Sequence, residues 1–463
     1  ELSLAMLNTY SPLLLLCPAA YAVAICIYRL YFHPLRSIPG PWYAAISHLW
    51  LRPFSSELQQ TFAIHSLVKK YGPIVRIAPN RVVFVDGDTT KLIYGKAKFD
   101  KGDWYKMFRI NGIDTAFCTL GSAEHAVIRR VQAPHYISSN LDKFQPEMRD
   151  TTNELMRNLL DFEGHESFDC MRMFRHLLTD IMLRVVFELK GEAVNAWANR
   201  EVYPITATVR DVLLSQLLFI RGRMQQAYKN MEMGMSDGSY RKPLVSRLAE
   251  STVLPEDTKV AETGDHFLAG VNCTATIISY VLWSVARQPE VLKKLQTELD
   301  AVMPDSETIP DIQTLNSLPY LTAVLQESLR LYGSAVIAYL PRVVPGTGLN
   351  VFGYDIPPGT VVGTLTRSAN RQEDVYPSAG TFDPTRWMQE IVPEKVQLMS
   401  FGYGSRMCAG ENLAQMILRI VVASLVRNLN PKVPKKDGTR GPEQMYGETL
   451  PEDPVTLIFE PRL

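Results

Sequence analysis

Charge of one sign has no excess in this chain: 48 lysines and arginines stand against 48 aspartates and glutamates. The basic residues form no long run, so nothing marks a nucleic-acid partner. Cysteine is sparse. The six present (Cys17, Cys26, Cys118, Cys170, Cys273 and Cys408) show no paired close spacing. No zinc site or disulfide framework is indicated, and the pattern suits a reducing compartment. Internal repeats and low-complexity segments are missing, which removes solenoid architectures. From Leu2 to Tyr28 there is no charged residue at all.

What is present is globular. The 463 residues are 46% hydrophobic and 21% charged, ample material for a large core. Length alone suggests about three domains. The uncharged start contains Leu13-Leu14-Leu15-Leu16 and Val23-Ala24-Ile25, and roughly 20 apolar residues span a bilayer as a helix. Pro12 and Pro18 would bend or shorten it. Arg29 and Arg36 follow at once, so the positive-inside rule leaves the bulk of the chain cytosolic. A cleaved signal peptide is the rival reading, but no clear small-residue cleavage site follows the long apolar core. We expect an anchor over 1–32, a stiff proline-rich linker over 33–45 around Ile38-Pro39-Gly40-Pro41, and a catalytic region over 46–463.

Within that region, Ile74 to Ile77 and Val82 to Val85 predict a hairpin around Pro79-Asn80. Helical patterns dominate from about 123 to 332. The strongest runs from Asp265 through Trp283, apolar on most faces and so expected to be buried, with possible caps over Glu256 to Thr263. A second helix is expected over Leu318 to Leu331. Short strands return from Pro341 to Arg367. Gln372 to Phe401 is irregular, a helix follows Cys408, and a strand-and-turn tail closes the chain. The fold class is mainly α with a smaller β-rich part.

The most informative stretch is Phe401-Gly402-Tyr403-Gly404-Ser405-Arg406-Met407-Cys408-Ala409-Gly410. It sets one cysteine between a glycine-rich turn and a helix start. Glycines let the backbone fold tightly around the sulfur and aim amides at it. The positive helix end and Arg406 are expected to favour thiolate over thiol. A thiolate held this way can be the axial ligand of a haem iron.

Glu327-Ser328-Leu329-Arg330 places a carboxylate and a guanidinium on one helix face, and Arg386 in Phe382-Asp383-Pro384-Thr385-Arg386-Trp387 could join them. An isolated pair of this kind is usually a solvated surface bridge worth little. The ordered set is different. Glu327/Arg330, then Phe382-x-Pro-x-Arg386-Trp387, then Phe401-x-x-Gly404-x-Arg406-x-Cys408-x-Gly410, resembles the cytochrome P-450 family. The N-terminal anchor, Tyr28-Arg29-Leu30-Tyr31-Phe32-His33-Pro34-Leu35 and Ile38-Pro39-Gly40-Pro41 are similar to its membrane-bound fungal members.

The resemblance implies a single P-450-like fold, which overrides the three-domain expectation, and haem b as cofactor. Cys408 would ligate the iron within the Phe401 to Gly410 motif. Glu327, Arg330 and Arg386 would form a buried network. Arg406, His125, Arg129 and Arg342 would contact haem propionates. It also implies electrons from NADPH through a flavoprotein reductase, and a single-pass position in the endoplasmic reticulum membrane with the catalytic part in the cytosol. The substrate would be a hydrophobic small molecule, and secondary metabolism (a terpenoid, polyketide or alkaloid) the setting.

The distal pattern departs from the family's. Ala269-Gly270-Val271-Asn272-Cys273-Thr274 keeps the small residues expected to open an oxygen groove. The usual acid is Asn272, which cannot deliver a proton by ionising, and the usual alcohol is Cys273, a weak donor. Thr274, ordered water or a substrate hydroxyl would then carry protons. Trp104 to Phe117 is expected to form a loop over the haem. Phe267, Val271, Ala335 to Tyr339 and Leu450 are expected on an apolar wall. Residues 189–211 look short for a substrate lid. Two other readings stand beside monooxygenation: an atypical reaction (desaturation, oxidative coupling, rearrangement or dehydration), and a catalytically silent haem-binding membrane partner.

Overall fold

The computed structural model describes residues 17–54, 57–96, 99–201, 203, 212–232, 242–333, 339–388, 398–434 and 455–462. The chain divides into two compact units: 1–102 with 338–369, and 103–337 with 370–463.

The first unit holds a two-stranded antiparallel pair, Leu349–Val351 with Tyr354–Ile356, and a four-stranded sheet. Strands β1 (Ile74–Ala78) and β2 (Arg81–Phe84) pair antiparallel across the expected Pro79-Asn80 turn. The other strands come from the far end of the sequence. Arg342–Val343 and Val361–Thr364 complete the order β1, β2, Val361–Thr364, Arg342–Val343, with a parallel step from β2 to Val361–Thr364. Helix α1 (Glu57–Tyr71) covers it, and Ile64 and Leu67 pack on Val75, Ile77 and Val83. The proline-rich stretch is more than a spacer. Arg76 N donates to Pro39 O (2.7 Å), and a Cβ on Gly40 would lie 2.5 Å from Arg76 O. Only glycine lets that segment lie against the strand.

The second unit is helical. Its longer helices are α2 (Ser122–Gln132), α3 (Gln145–Asp161), α4 (Cys170–Phe187), α5 (Val212–Glu232), α6 (Glu256–Ala286), α7 (Pro289–Asp300), α8 (Pro319–Tyr332) and α9 (Glu411–Asn428). Three short strands, Ser167–Asp169, Leu429–Lys432 and Thr456–Pro461, form an antiparallel sheet with Thr456–Pro461 in the middle. Helix α6 is the central post, packed against α4, α8 and α9. It begins a full two turns before the expected Asp265. Residues read as caps are helical, because Pro255 sets the N-cap and Glu256 and Asp257 favour the positive first turn.

An apolar helix covers Cys17–Phe32, while the preceding residues of the expected anchor lie outside the described ones. Among the described residues, the helix long and apolar enough to cross a membrane is α6, and it is mostly buried in the core.

Candidate functional site

The cysteine turn is closed by its own backbone. Cys408 N donates to Phe401 O (2.7 Å), and Met407 N to Gly404 O (3.0 Å). Gly402 and Gly404 hold φ of 75° and 72°, left-handed values that explain their identity. Gly410 caps α9. The Cys408 thiol carries accessible surface, yet protein surrounds it on nearly every side. Burial pushes its pKa up, opposed by the Gly410 N–H and the Arg129 charge. The Arg406 guanidinium donates to Thr119 O and Leu120 O (2.8 Å each), tying the turn to the segment before α2.

Behind the turn lies the Glu327 network. Glu327 and Arg330 on α8 are both 0% exposed. Arg330 Nε and Nη2 donate to the two Glu327 oxygens (2.8 Å each). Arg386 Nε (3.0 Å), Trp387 Nε1 (2.9 Å) and Asp383 N (2.9 Å) donate to the same carboxylate. Arg330 also donates to the carbonyls of Asn370, Ala379 and Thr381. Glu327 and Arg330 thus tie Asn370, Ala379, Thr381, Asp383, Arg386 and Trp387 to α8. Ser400 Oγ, at the entrance of the turn, donates to Leu329 O (2.7 Å) on the same helix.

Facing the cysteine is α6. Ala269 and Cys273, one turn apart, carry accessible surface. Cys273 is nevertheless enclosed, and burial together with the Cys408 charge pushes its thiol up to about 12. The Cys408 charge thus reaches Cys273 on α6, which sets the two cysteines near one another. Asn272 turns away from a relay role: its Nδ2 donates to Leu268 O (2.9 Å). Thr274 is buried. Gly270 also differs from expectation. A Cβ there would lie 2.4 Å from Met182 Cε, so its smallness admits α4 to α6 and does not open a groove. Phe267 and Val271 are core residues, and Phe267 packs against Phe187 (5.7 Å) and Phe219 (6.2 Å).

The remaining candidates fall in several places. His125 is buried on α2, one turn before Arg129. Arg342 belongs to the first unit. There it donates to Pro341 O (3.0 Å), and its guanidinium lies over the Tyr94 ring (4.8 Å). The loop from Trp104 to Phe117 is an aromatic cluster, with Trp104–Phe108 at 4.8 Å and Phe108–Phe117 at 5.2 Å. Ala335 to Ala338 and Leu450 lie outside the described residues, as do 202 and 204–211 of the expected lid.

The family model for cytochrome P-450 matches residues 219–459, just over half of the chain. This chain belongs to the cytochrome P-450 family. Similar relatives include cytochrome P-450 monooxygenase stcB of Emericella nidulans, 28% identical over 86% of this chain and 82% of the relative. Cytochrome P-450 monooxygenase cypX of Dothistroma septosporum is 26% identical over 92% and 90%. Tryprostatin B 6-hydroxylase of Neosartorya fischeri is 27% identical over 94% and 84%. As a P-450, the chain is a haem-dependent oxidoreductase of the monooxygenase class.

The donor set suits the family's cofactor. One thiol stands in a glycine-flanked turn with an arginine charge nearby, and among the described residues no cluster of His, Cys, Asp or Glu offers a competing metal site. Trp387 and the Asp383 amide join Glu327 as partners that nothing in the local sequence marks. Tyr136 and His266 likewise meet across 130 positions and leave no local pattern.

Proposed function

We propose that this P-450 inserts oxygen into a hydrophobic small molecule in secondary metabolism, with Cys408 as the residue that would ligate the haem iron. The observation that carries the assignment is the Cys408 turn itself, closed by Cys408 N on Phe401 O across the left-handed Gly402 and Gly404 and followed by Gly410 at the α9 cap, with the Arg129 charge nearby. Bound at that thiolate, the haem supplies the oxygen-activating chemistry. The protein supplies the rest. Phe401 O and the left-handed glycines hold the turn, and coordination to the iron would keep the Cys408 sulfur as thiolate despite its burial. Glu327, Arg330 and Arg386 brace α8 against residues 370–387. His125, Arg129, Arg342 and Arg406 answer the propionate charges. In that role Arg406 also braces the turn through Thr119 and Leu120.

We assign electron supply to an NADPH-dependent flavoprotein reductase. The apolar segment over 1–32 would be a single-pass anchor in the endoplasmic reticulum membrane, followed by the 33–45 stretch and the catalytic region from 46. The uncharged run from Leu2 to Tyr28 supports the anchor, and Arg29 and Arg36 support the cytosolic side. The relative named for 6-hydroxylation of tryprostatin B supports a small organic substrate. An atypical outcome such as desaturation or coupling is favoured by one observation: Asn272 is bonded back to its own helix, so no ionisable acid stands beside Cys273 and Thr274 at the usual relay position. Isotope labelling of product oxygen separates the two.

The test of the central assignment is the reduced, carbon-monoxide-bound spectrum. Wild type should show the red-shifted Soret band of thiolate ligation, and Cys408→Ser should lose it. A normal band in that variant would overturn the ligand assignment.

A further inference from the structure

One turn upstream of Ala269 and Gly270 on α6 lies His266, which belongs to a largely buried set of groups outside the haem-ligand turn. Tyr136 O–H lies 2.6 Å from His266 Nδ1, and the two rings stack at 5.3 Å. Nε2 of His266 lies 3.5 Å from Oε2 of Glu262, whose side chain is fully buried. Both Glu262 oxygens accept N–H bonds, one from Gln132 Nε2 and the other from Ala116 N (2.5 Å). The carboxylate is thereby fixed as an acceptor behind the imidazole.

Tyr136 sits against the cysteine turn. A Cβ on Gly410 would lie 3.8 Å from its Cε1, and Asn412 Nδ2 donates to its carbonyl (3.0 Å). Burial, then the charges of Cys408 and Glu262, raise the phenol well above its ordinary pKa. A phenol kept protonated can lose an electron at moderate cost only if its proton leaves at the same time. His266 Nδ1 is placed to take that proton, and Glu262 supplies the charge that stabilises the resulting imidazolium. A buried tyrosine hydroxyl needs a partner in any protein. A backbone carbonyl would satisfy that need. A histidine backed by a buried carboxylate adds a proton acceptor.

We propose that Tyr136, His266 and Glu262 form a proton-coupled redox relay that discharges the oxidised haem centre when substrate oxidation fails. This rests on the reading of Cys408 as the haem ligand. In the step, the Tyr136 O–H bond breaks. The electron passes to the haem centre, the proton passes to His266 Nδ1, and a neutral phenoxyl radical remains beside an imidazolium paired with Glu262. One electron from the reductase and the same proton returned by His266 restore the phenol. At 6% exposure, Tyr136 holds the radical away from solvent.

The experiment uses the haem-loaded full chain, mixed with a peracid in the absence of substrate and freeze-quenched for electron paramagnetic resonance. Wild type should give a tyrosyl radical signal whose hyperfine pattern narrows when ring-deuterated tyrosine is incorporated. Tyr136→Phe should lose that signal, His266→Phe should cut its yield severalfold, and both should bleach haem faster than wild type. The reduced carbon-monoxide spectrum of each variant separates the two layers. A wild type without thiolate ligation overturns the haem-ligand reading and this relay together. Thiolate ligation intact, with an unchanged radical signal and bleaching rate in Tyr136→Phe, overturns the relay alone. So does full radical yield in His266→Phe. Where His266→Phe loses haem, His266→Gln, which keeps hydrogen bonding without a basic nitrogen, is held to the same criteria.

Discussion

Replacing Glu327 by alanine removes one carboxylate and strands five donated bonds: two from Arg330 and one each from Arg386, Trp387 and the Asp383 amide. Arg330 keeps its bonds to the carbonyls of Asn370, Ala379 and Thr381, so it is not left wholly unsolvated. Its charge, however, stays buried at 0% exposure with no counter-ion on the carboxylate side. Breaking a buried pair in this way costs about 3–5 kcal/mol, a large share of the ~5–15 kcal/mol that holds a domain together. With an unfolding entropy of about 2.1 cal/mol/K per residue, a chain of 463 residues turns that into a melting-temperature fall of about 3–5 °C. Glu327→Gln keeps the shape and one acceptor oxygen but sets an NH2 group against N–H donors, so we expect a smaller loss of about 1–3 kcal/mol. Haem content should fall with stability, because Ser400 at the entrance of the cysteine turn is bonded to α8 two residues beyond Glu327. Thermal melting and the reduced carbon-monoxide spectrum per mole of protein measure both. Wild-type melting and full haem loading in Glu327→Ala would show that the network contributes nothing to the fold, since a buried carboxylate with those donors is not removable at no cost.

Three further outcomes are expected. Burial holds the His135 and His176 pKa values down to about 3 and about 4, so both stay neutral in the fold while the unfolded chain protonates them near 6.5. Stability should therefore fall as pH drops below 6.5. Asp180, raised to about 6 by burial, works in the opposite sense between about 6 and 3.8. Urea midpoints across this range should show a net loss that His135→Gln flattens, and an identical slope in that variant would contradict the assignment. Removing residues 1–28 should move the protein from membrane to soluble fractions. Removing 1–32 should do the same but melt lower, since buried Arg76 donates to Arg29 O (3.1 Å) and Arg29 to Ile46 O (2.6 Å); equal melting temperatures would show those contacts to be dispensable. Restoring the family pattern with Asn272→Asp and Cys273→Thr should change product formed per NADPH consumed. Equal coupling and product ratios on every substrate tried would mean that protons are delivered by a route independent of both positions.

Local features are legible in the order of residues alone. The glycine-flanked Cys408, the Glu327–Arg330 pair one turn apart, the Pro79-Asn80 hairpin and the apolar period of α6 are each written within a few residues, where backbone preference and helix or strand spacing suffice. From order and spacing these also reached the family. Tertiary structure decided what distant segments do to each other. It made Arg386, Trp387 and Asp383 share one carboxylate, because the energy of that site lies in donors converging from about sixty residues away. It set Arg406 against two carbonyls and brought the Arg129 charge near the thiol. It filled the Gly270 gap with Met182 and paired Tyr136 with His266. No sequence window contains those contacts. They exist only once helices pack, and burial, which sets the pKa values of Cys408 and Cys273, is a property of the packed chain.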